Sequence, residues 1–194
     1  MVTSKFGNRY SKTGLWQLFV ATAFPLHLWA IILILMDISW VAERTNFWDA
    51  IGVAAYGLVF ILFESLLIWA LLILMGFLLP KIWPENKRVV LLGILVMVTA
   101  LWAILGQLYF LLELSFPQWI INLLAEQAHP LRYLYAIYLV VVTLSVLLAT
   151  YFAIISEKFQ RSFVVVIDRL SILVGLYVIL DVVSIIIVLI RNLG

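Results

Sequence analysis

The sequence predicts an all-α fold: a polytopic integral membrane helical bundle of five transmembrane helices, with a short interfacial helix in the third loop. Three observations carry that prediction. The chain holds five apolar runs long enough to cross a lipid bilayer. Hydrophobic residues make up 66% of it and charged residues only 11%, against roughly 45–50% and 25% in soluble domains. Lys and Arg are also distributed unevenly between alternate connecting segments. A soluble domain of this size leaves much of its surface in water, and a mean hydropathy of +1.21 makes lipid the expected solvent.

A spanning helix needs ~20 mostly apolar residues, because each residue rises 1.5 Å across a hydrocarbon core of ~30 Å. The first run, 15–36, follows a polar stretch with Lys5, Arg9 and Lys12. It is too long for a signal-peptide core and ends in Asp37-Ile38-Ser39-Trp40, not in a small-residue cleavage site, so a retained helix is expected. The second run, 51–79, is long enough to tilt and closes before Pro80 and Pro84. The third, 89–112, ends ahead of Pro117, and the fourth, 134–155, begins after Pro130. The fifth, 170–190, could start as early as Ser162, since apolar residues precede the Asp168-Arg169 pair. Backbone groups cannot go unpaired in lipid, so all five runs must be helical. Between the third and fourth, segment 117–127 sets apolar residues at helical spacing beside Asn122 and Glu126, the pattern of a helix lying flat on the membrane. Segment 42–49 shows the same pattern more weakly. No repeat divides the chain, which reads as one domain over 1–194.

Charge sets the expected orientation. With five spans, Lys5, Arg9, Lys12, Lys81, Lys87, Arg88, Lys158, Arg161 and Arg169 fall on the N-terminal side, and only Arg44, Arg132 and Arg191 on the other. Basic residues favour the cytoplasmic side. The expectation is therefore a cytoplasmic N-terminus and an outside C-terminus, in a cellular membrane expected to be the prokaryotic plasma membrane. Trp16 and Trp83 mark the inner interface. Trp40, Trp48, Trp119 and the tyrosines 133, 135 and 138 mark the outer one.

Ionisable residues are rare at the centre of a bilayer and usually functional. Three stand near run midpoints here: His27, Glu64 and Asp181. Thr99 and Thr143 fall at similar depth, so each of the five helices offers a polar group to one layer. Gln107 lies nearer the outer surface, and Glu113 at the outer interface. Tyr177 and Ser184 share a helical face with Asp181. Small residues on the faces of His27 (Ala23, Ala30), Glu64 (Gly57) and Gln107 (Ala100, Ala103) suit close helix packing, so these polar groups are expected to face inward. Pro25 can kink the first helix and free a carbonyl near His27.

No Lys or Arg lies at that depth. Each carboxyl is then protonated and hydrogen-bonded, paired with His27, or bound to a cation. His27, Glu64, Asp181, Gln107, Tyr177 and Ser184 form the candidate proton, cation or ligand site; read plainly, the same groups are structural glue between helices. A metal site from His27, Glu64 and Asp181 would need three helices to converge, so no metal is assigned. Haem held by a histidine pair is disfavoured, because His129 belongs to the outer loop. The sequence leaves the identity of any cofactor unknown. Gly57, Gly76, Gly93, Gly106 and Gly175 read as helix-packing positions.

Several classes are excluded or disfavoured. The absence of cysteine rules out disulfides, thiolate metal sites and Cys nucleophiles. A net charge of +2, with no basic stretch interleaved with exposed aromatics, offers nothing to nucleic acid. No zinc-protease, Gly-x-Ser-x-Gly, Walker or dinucleotide motif is present. Connecting segments are too short to fold as a catalytic or regulatory domain. The leading expectation is a membrane-embedded subunit of a larger complex, its partners being the bilayer and other membrane proteins. The alternative is a stand-alone transporter or channel for protons, cations or a small solute, using Glu64 and Asp181. A membrane-embedded enzyme comes third.

Overall fold

In a computed structural model, which describes residues 9–193, the chain is all-helical. Six helices follow one another: α1 Lys12–Arg44, α2 Phe47–Leu78, α3 Glu85–Leu111, α4 Gln118–Ala125, α5 Pro130–Ile155 and α6 Glu157–Leu193. All except α4 are long and apolar enough to span a membrane. The short α4 occupies the third loop and buries no residue.

Every spanning helix starts upstream of its apolar run, because its start signal lies in the polar flank. Ser11 caps α1 by accepting the Gly14 N–H at 3.0 Å. Asn46 caps α2 by accepting the Asp49 N–H at 2.9 Å, while its own amide donates back to Asp49 Oδ2 at 2.6 Å. That reciprocal cap corrects the expectation of a flat segment at 42–49. α1 instead continues to Arg44, and a tight turn at Thr45-Asn46 starts α2 at once. The last span begins earlier than expected too. Ser156 closes α5 through its N–H to Phe152 O (3.0 Å) and opens α6 by accepting the Phe159 N–H on its hydroxyl (3.2 Å). One residue therefore separates the two helices.

The first and last described residues lie at opposite ends of the bundle. Arg9 donates to Phe77 O at 2.8 Å, which holds the N-terminal segment against the end of α2. Arg191 donates to Trp48 O and Asp49 Oδ1, both at 2.7 Å, which holds the end of α6 against the start of α2. α1, α3 and α6 therefore run one way, α2 and α5 the other. Among the described residues, the basic residues assigned from sequence to the N-terminal side gather at one end; Lys5 lies outside the described residues.

The N-terminal half of α1 is the hub. From Gly14 to Ala30 it contributes more buried residues than any other helix. Phe19, Val20, Ala21 and Ala23 pack with Ile167 and Val174 of α6, and Leu18 packs with Leu72, Val89 and Leu92 of α2 and α3. Gly93 makes this density possible. A Cβ there would stand 2.8 Å from the Phe163 ring and 3.4 Å from Ala21. Gly76 plays the same part against Tyr10, whereas Gly175 has open space around it and is not the packing position its sequence suggested. α5 packs chiefly on α3, through Val90, Ile94 and Ala153 and through Trp102, which donates to Ser145 at 2.6 Å. α6 departs toward α1 and α2.

Candidate functional site

Two polar links cross from α1 to α6. Near the basic end, Gln17 donates to Asp168 Oδ1 at 3.1 Å. Ten residues further along α1, His27 Nε2 lies 3.1 and 3.3 Å from the two carboxylate oxygens of Asp181. The parallel course of α1 and α6 allows both, since the order of facing residues is the same along the two helices.

His27 is 1% exposed and Asp181 0%. The ring's other nitrogen, Nδ1, lies 2.8 Å from Ala23 O, one turn back on the same helix. A carbonyl oxygen can only accept, so Nδ1 must carry a proton. The opposite nitrogen then shares a single proton with Asp181: either imidazolium faces carboxylate, or a neutral ring accepts from a carboxylic acid. Both forms are net neutral. The pair is therefore balanced within itself, with no third charged group in contact among the described residues.

The surroundings reinforce that neutrality. The Tyr177 ring stacks on the His27 ring, with centroids 5.4 Å apart and planes within 5°. Ser184, one turn beyond Asp181, is buried, as are Thr22 and Ser65. Thr22 donates to Leu18 O at 2.9 Å on its own helix. The Ser65 hydroxyl is buried without a hydrogen-bond partner. The carbonyl released by Pro25 is that of Ala21, four residues back, while the His27 ring takes the neighbouring Ala23 carbonyl.

The six candidate residues thus divide. His27, Asp181 and Tyr177 are in contact, and Ser184 is buried beside them along α6. Glu64 is half-buried on α2 and makes no hydrogen bond or ion pair with any described residue. Gln107 is exposed and accepts from the Trp29 indole nitrogen. Thr99 donates to Leu95 O within its own helix, and Thr143 is exposed. Among the described residues no three His, Cys, Asp or Glu side chains come together as a metal site.

Sequence reasoning missed a second polar cluster, at the basic end. The segment Arg9-Tyr10-Ser11 straps across the ends of α2 and α3. Arg9 donates to Gly76 O and Phe77 O, at the carbonyl end of α2 where a cation complements the helix dipole. Ser11 donates to Glu85 Oε1 through N–H (2.5 Å) and hydroxyl (2.7 Å), and Arg88 donates to Arg9 O at 2.7 Å. Tyr10 is buried edge-on to Phe77, its hydroxyl without a partner. Burial pushes the Tyr10 phenol above its ordinary pKa, and Arg88 and Arg9 pull the other way. The only sequence signal for the strap was a cluster of basic residues, which names no partners.

Comparison with protein-family models, with curated proteins and with solved structures finds no match to this chain.

Proposed function

We propose that this chain is an integral subunit of a larger membrane complex, a helical scaffold whose midplane pair clamps α1 to α6. The observation that supports this reading is the sealed, self-neutral His27–Asp181 pair. A group that relays protons or binds cations must meet water or an ion during its cycle; this pair is out of solvent with its valences filled internally. The short connections between helices leave chemistry and regulation to other chains. With the scaffold we propose an orientation. The basic end faces the cytoplasm of a prokaryotic cell and the end holding Arg191 faces out, following the bias of Lys and Arg.

Solubilisation of the native membrane in mild detergent, followed by mass analysis of the eluted particle, tests the reading. The expected result is co-elution with at least one other integral membrane protein at fixed stoichiometry. The purified chain in proteoliposomes should then show no proton or cation flux above empty vesicles. A chain that elutes alone and carries a flux abolished by Glu64→Gln or Asp181→Asn would replace the subunit with the transporter or channel.

A further inference from the structure

The basic end of the bundle holds a cavity of about 400 Å³ between the first turn of α3 and the first turns of α6. Phe163 sets its depth. A Cβ on Gly93 would stand 2.8 Å from the Phe163 ring, and each of these residues lies about two turns into its helix. The two helix starts are therefore level, and the cavity falls where their polar flanks meet their apolar runs. Val164 and Val165 form the apolar part of its wall, and Asn86, Glu157, Gln160 and Arg161 the polar part. Those polar groups are thinly committed. Arg161 donates to Glu157 Oε2 at 3.3 Å, with the two side chains 81% and 83% exposed, and exposed pairs of this kind are worth little. Gln160 donates to Ala153 O at 2.9 Å and keeps its side-chain oxygen. The Asn86 amide has no hydrogen-bond partner among the described residues.

We propose that this cavity binds the headgroup of a phospholipid that ends in a primary ammonium, phosphatidylethanolamine, with the phosphate on Arg161 and the ammonium on Glu157. The proposal goes beyond the subunit reading, since it needs only a chain embedded in lipid, with or without a partner protein. Charge selects the headgroup. The charged lining is one Arg and one Glu, so a zwitterion matches it, whereas an anionic lipid would set a phosphate against an unanswered carboxylate. Arg161 supplies several N–H donors for phosphate oxygens, and the Asn86 amide supplies another. A primary ammonium carries three donors, for which Glu157 and the Gln160 side-chain oxygen are acceptors. A choline headgroup has no N–H to donate and is held instead by aromatic cages; no aromatic ring lines this cavity. Val164 and Val165 then lie along the start of the acyl chains. Binding exchanges one long, exposed ion pair for two charge-assisted contacts.

The full chain, purified in detergent and freed of bound lipid, is titrated with phospholipids of identical acyl chains bearing ethanolamine, choline or glycerol headgroups. Native mass spectrometry reads the occupancy. The expected result is an ethanolamine lipid bound at least about tenfold tighter than either of the others, the size of one charge-assisted hydrogen bond. Glu157→Ala should erase the preference over choline. Arg161→Ala should weaken all the lipids alike, because they share the phosphate. Val165→Trp fills the cavity from an exposed position and should abolish binding of the ethanolamine lipid. Thermal unfolding should be unchanged in each variant. Equal binding of the headgroups overturns the proposal, as does tighter binding of the glycerol lipid, which would mark an anionic-lipid site. An ethanolamine preference that survives Glu157→Ala or Val165→Trp places the lipid elsewhere and overturns it, as does binding untouched by Arg161→Ala. Displacement by glycerophosphoethanolamine at the concentration of the lipid itself also overturns it, since the ligand would then be a soluble phosphate ester.

Discussion

His27 has two ring nitrogens, and both face oxygen atoms. Nδ1 donates to a carbonyl, so the hydrogen bond to Asp181 contains one proton whichever atom owns it. An asparagine at 181 can reproduce this arrangement, its amide donating to Nε2 of the same tautomer. Asp181→Asn should therefore change stability by less than about 1 kcal/mol, whereas Asp181→Leu strands Nε2 and should cost about 1–3 kcal/mol. Thermal unfolding in detergent separates them; equal losses would show that the clamp does not depend on the hydrogen bond. Tyr10 supplies a second test. Its hydroxyl is buried without a partner, so Tyr10→Phe should leave stability unchanged or raise it by up to about 1 kcal/mol at pH 8. Because burial raises the phenol's pKa, the fold favours the neutral form. The stability tied to that form is complete below the unfolded value near 10 and is lost as pH rises through the folded value. The phenylalanine variant should thus gain on the parent between pH 8 and 10.5. A variant less stable than the parent at pH 8 would show that the hydroxyl makes a bond that matters.

At the scale of the element, helix ends matter more than helix middles. α3 closes in a Schellman arrangement: Glu113 N–H donates to Phe110 O and Leu114 N–H to Tyr109 O. Glu113 occupies the turning position with φ of 49°, a left-handed conformation that costs an L side chain about 1–2 kcal/mol and glycine nothing. Glu113 is exposed and makes no other bond among the described residues, so Glu113→Gly should stabilise the chain by about 0.5–1 kcal/mol, read as an upward shift in the unfolding midpoint. A downward shift would mean that the carboxylate has a role at the outer surface. The other ends explain where reading the runs fell short. Apolar runs mark the portion in lipid, but helices continue until a cap stops them, and Ser11, Asn46 and Ser156 all stand in polar flanks. Such caps depend on a few local atoms, so they were visible in the sequence once the helices were known, yet hydropathy has no means of weighing them.

For the molecule as a whole, the testable claim is the placement of its ends. Contacts put the N-terminal strap with the α2–α3 connection and Arg191 with the α1–α2 turn. Reporter fusions at Gly14 and Gly194 should therefore report opposite sides of the membrane, with the Gly14 side cytoplasmic if the basic bias holds. Both reporters on one side would refute the five-span arrangement. The bundle is uneven. α1 is packed on several sides through its first half, while α5 rests mainly on α3 and buries only Ala153. The apolar surface that α5 leaves exposed suits lipid.

Helix number, approximate span and the gathering of basic residues at one end were legible in the sequence, because hydropathy and backbone satisfaction in lipid are local properties that add along the chain. The sequence also places His27, Glu64 and Asp181 near the midpoints of their apolar runs. Which of them meet was not legible there. Tertiary structure alone brought His27 to Asp181 across 154 positions, left Glu64 on a flank and turned Gln107 to Trp29. Lipid tails are as apolar as leucine, so no strong hydrophobic force sorts one helix face from another. Facing is settled by close fits such as Gly93 against Phe163, and those fits exist only after distant segments have been laid side by side.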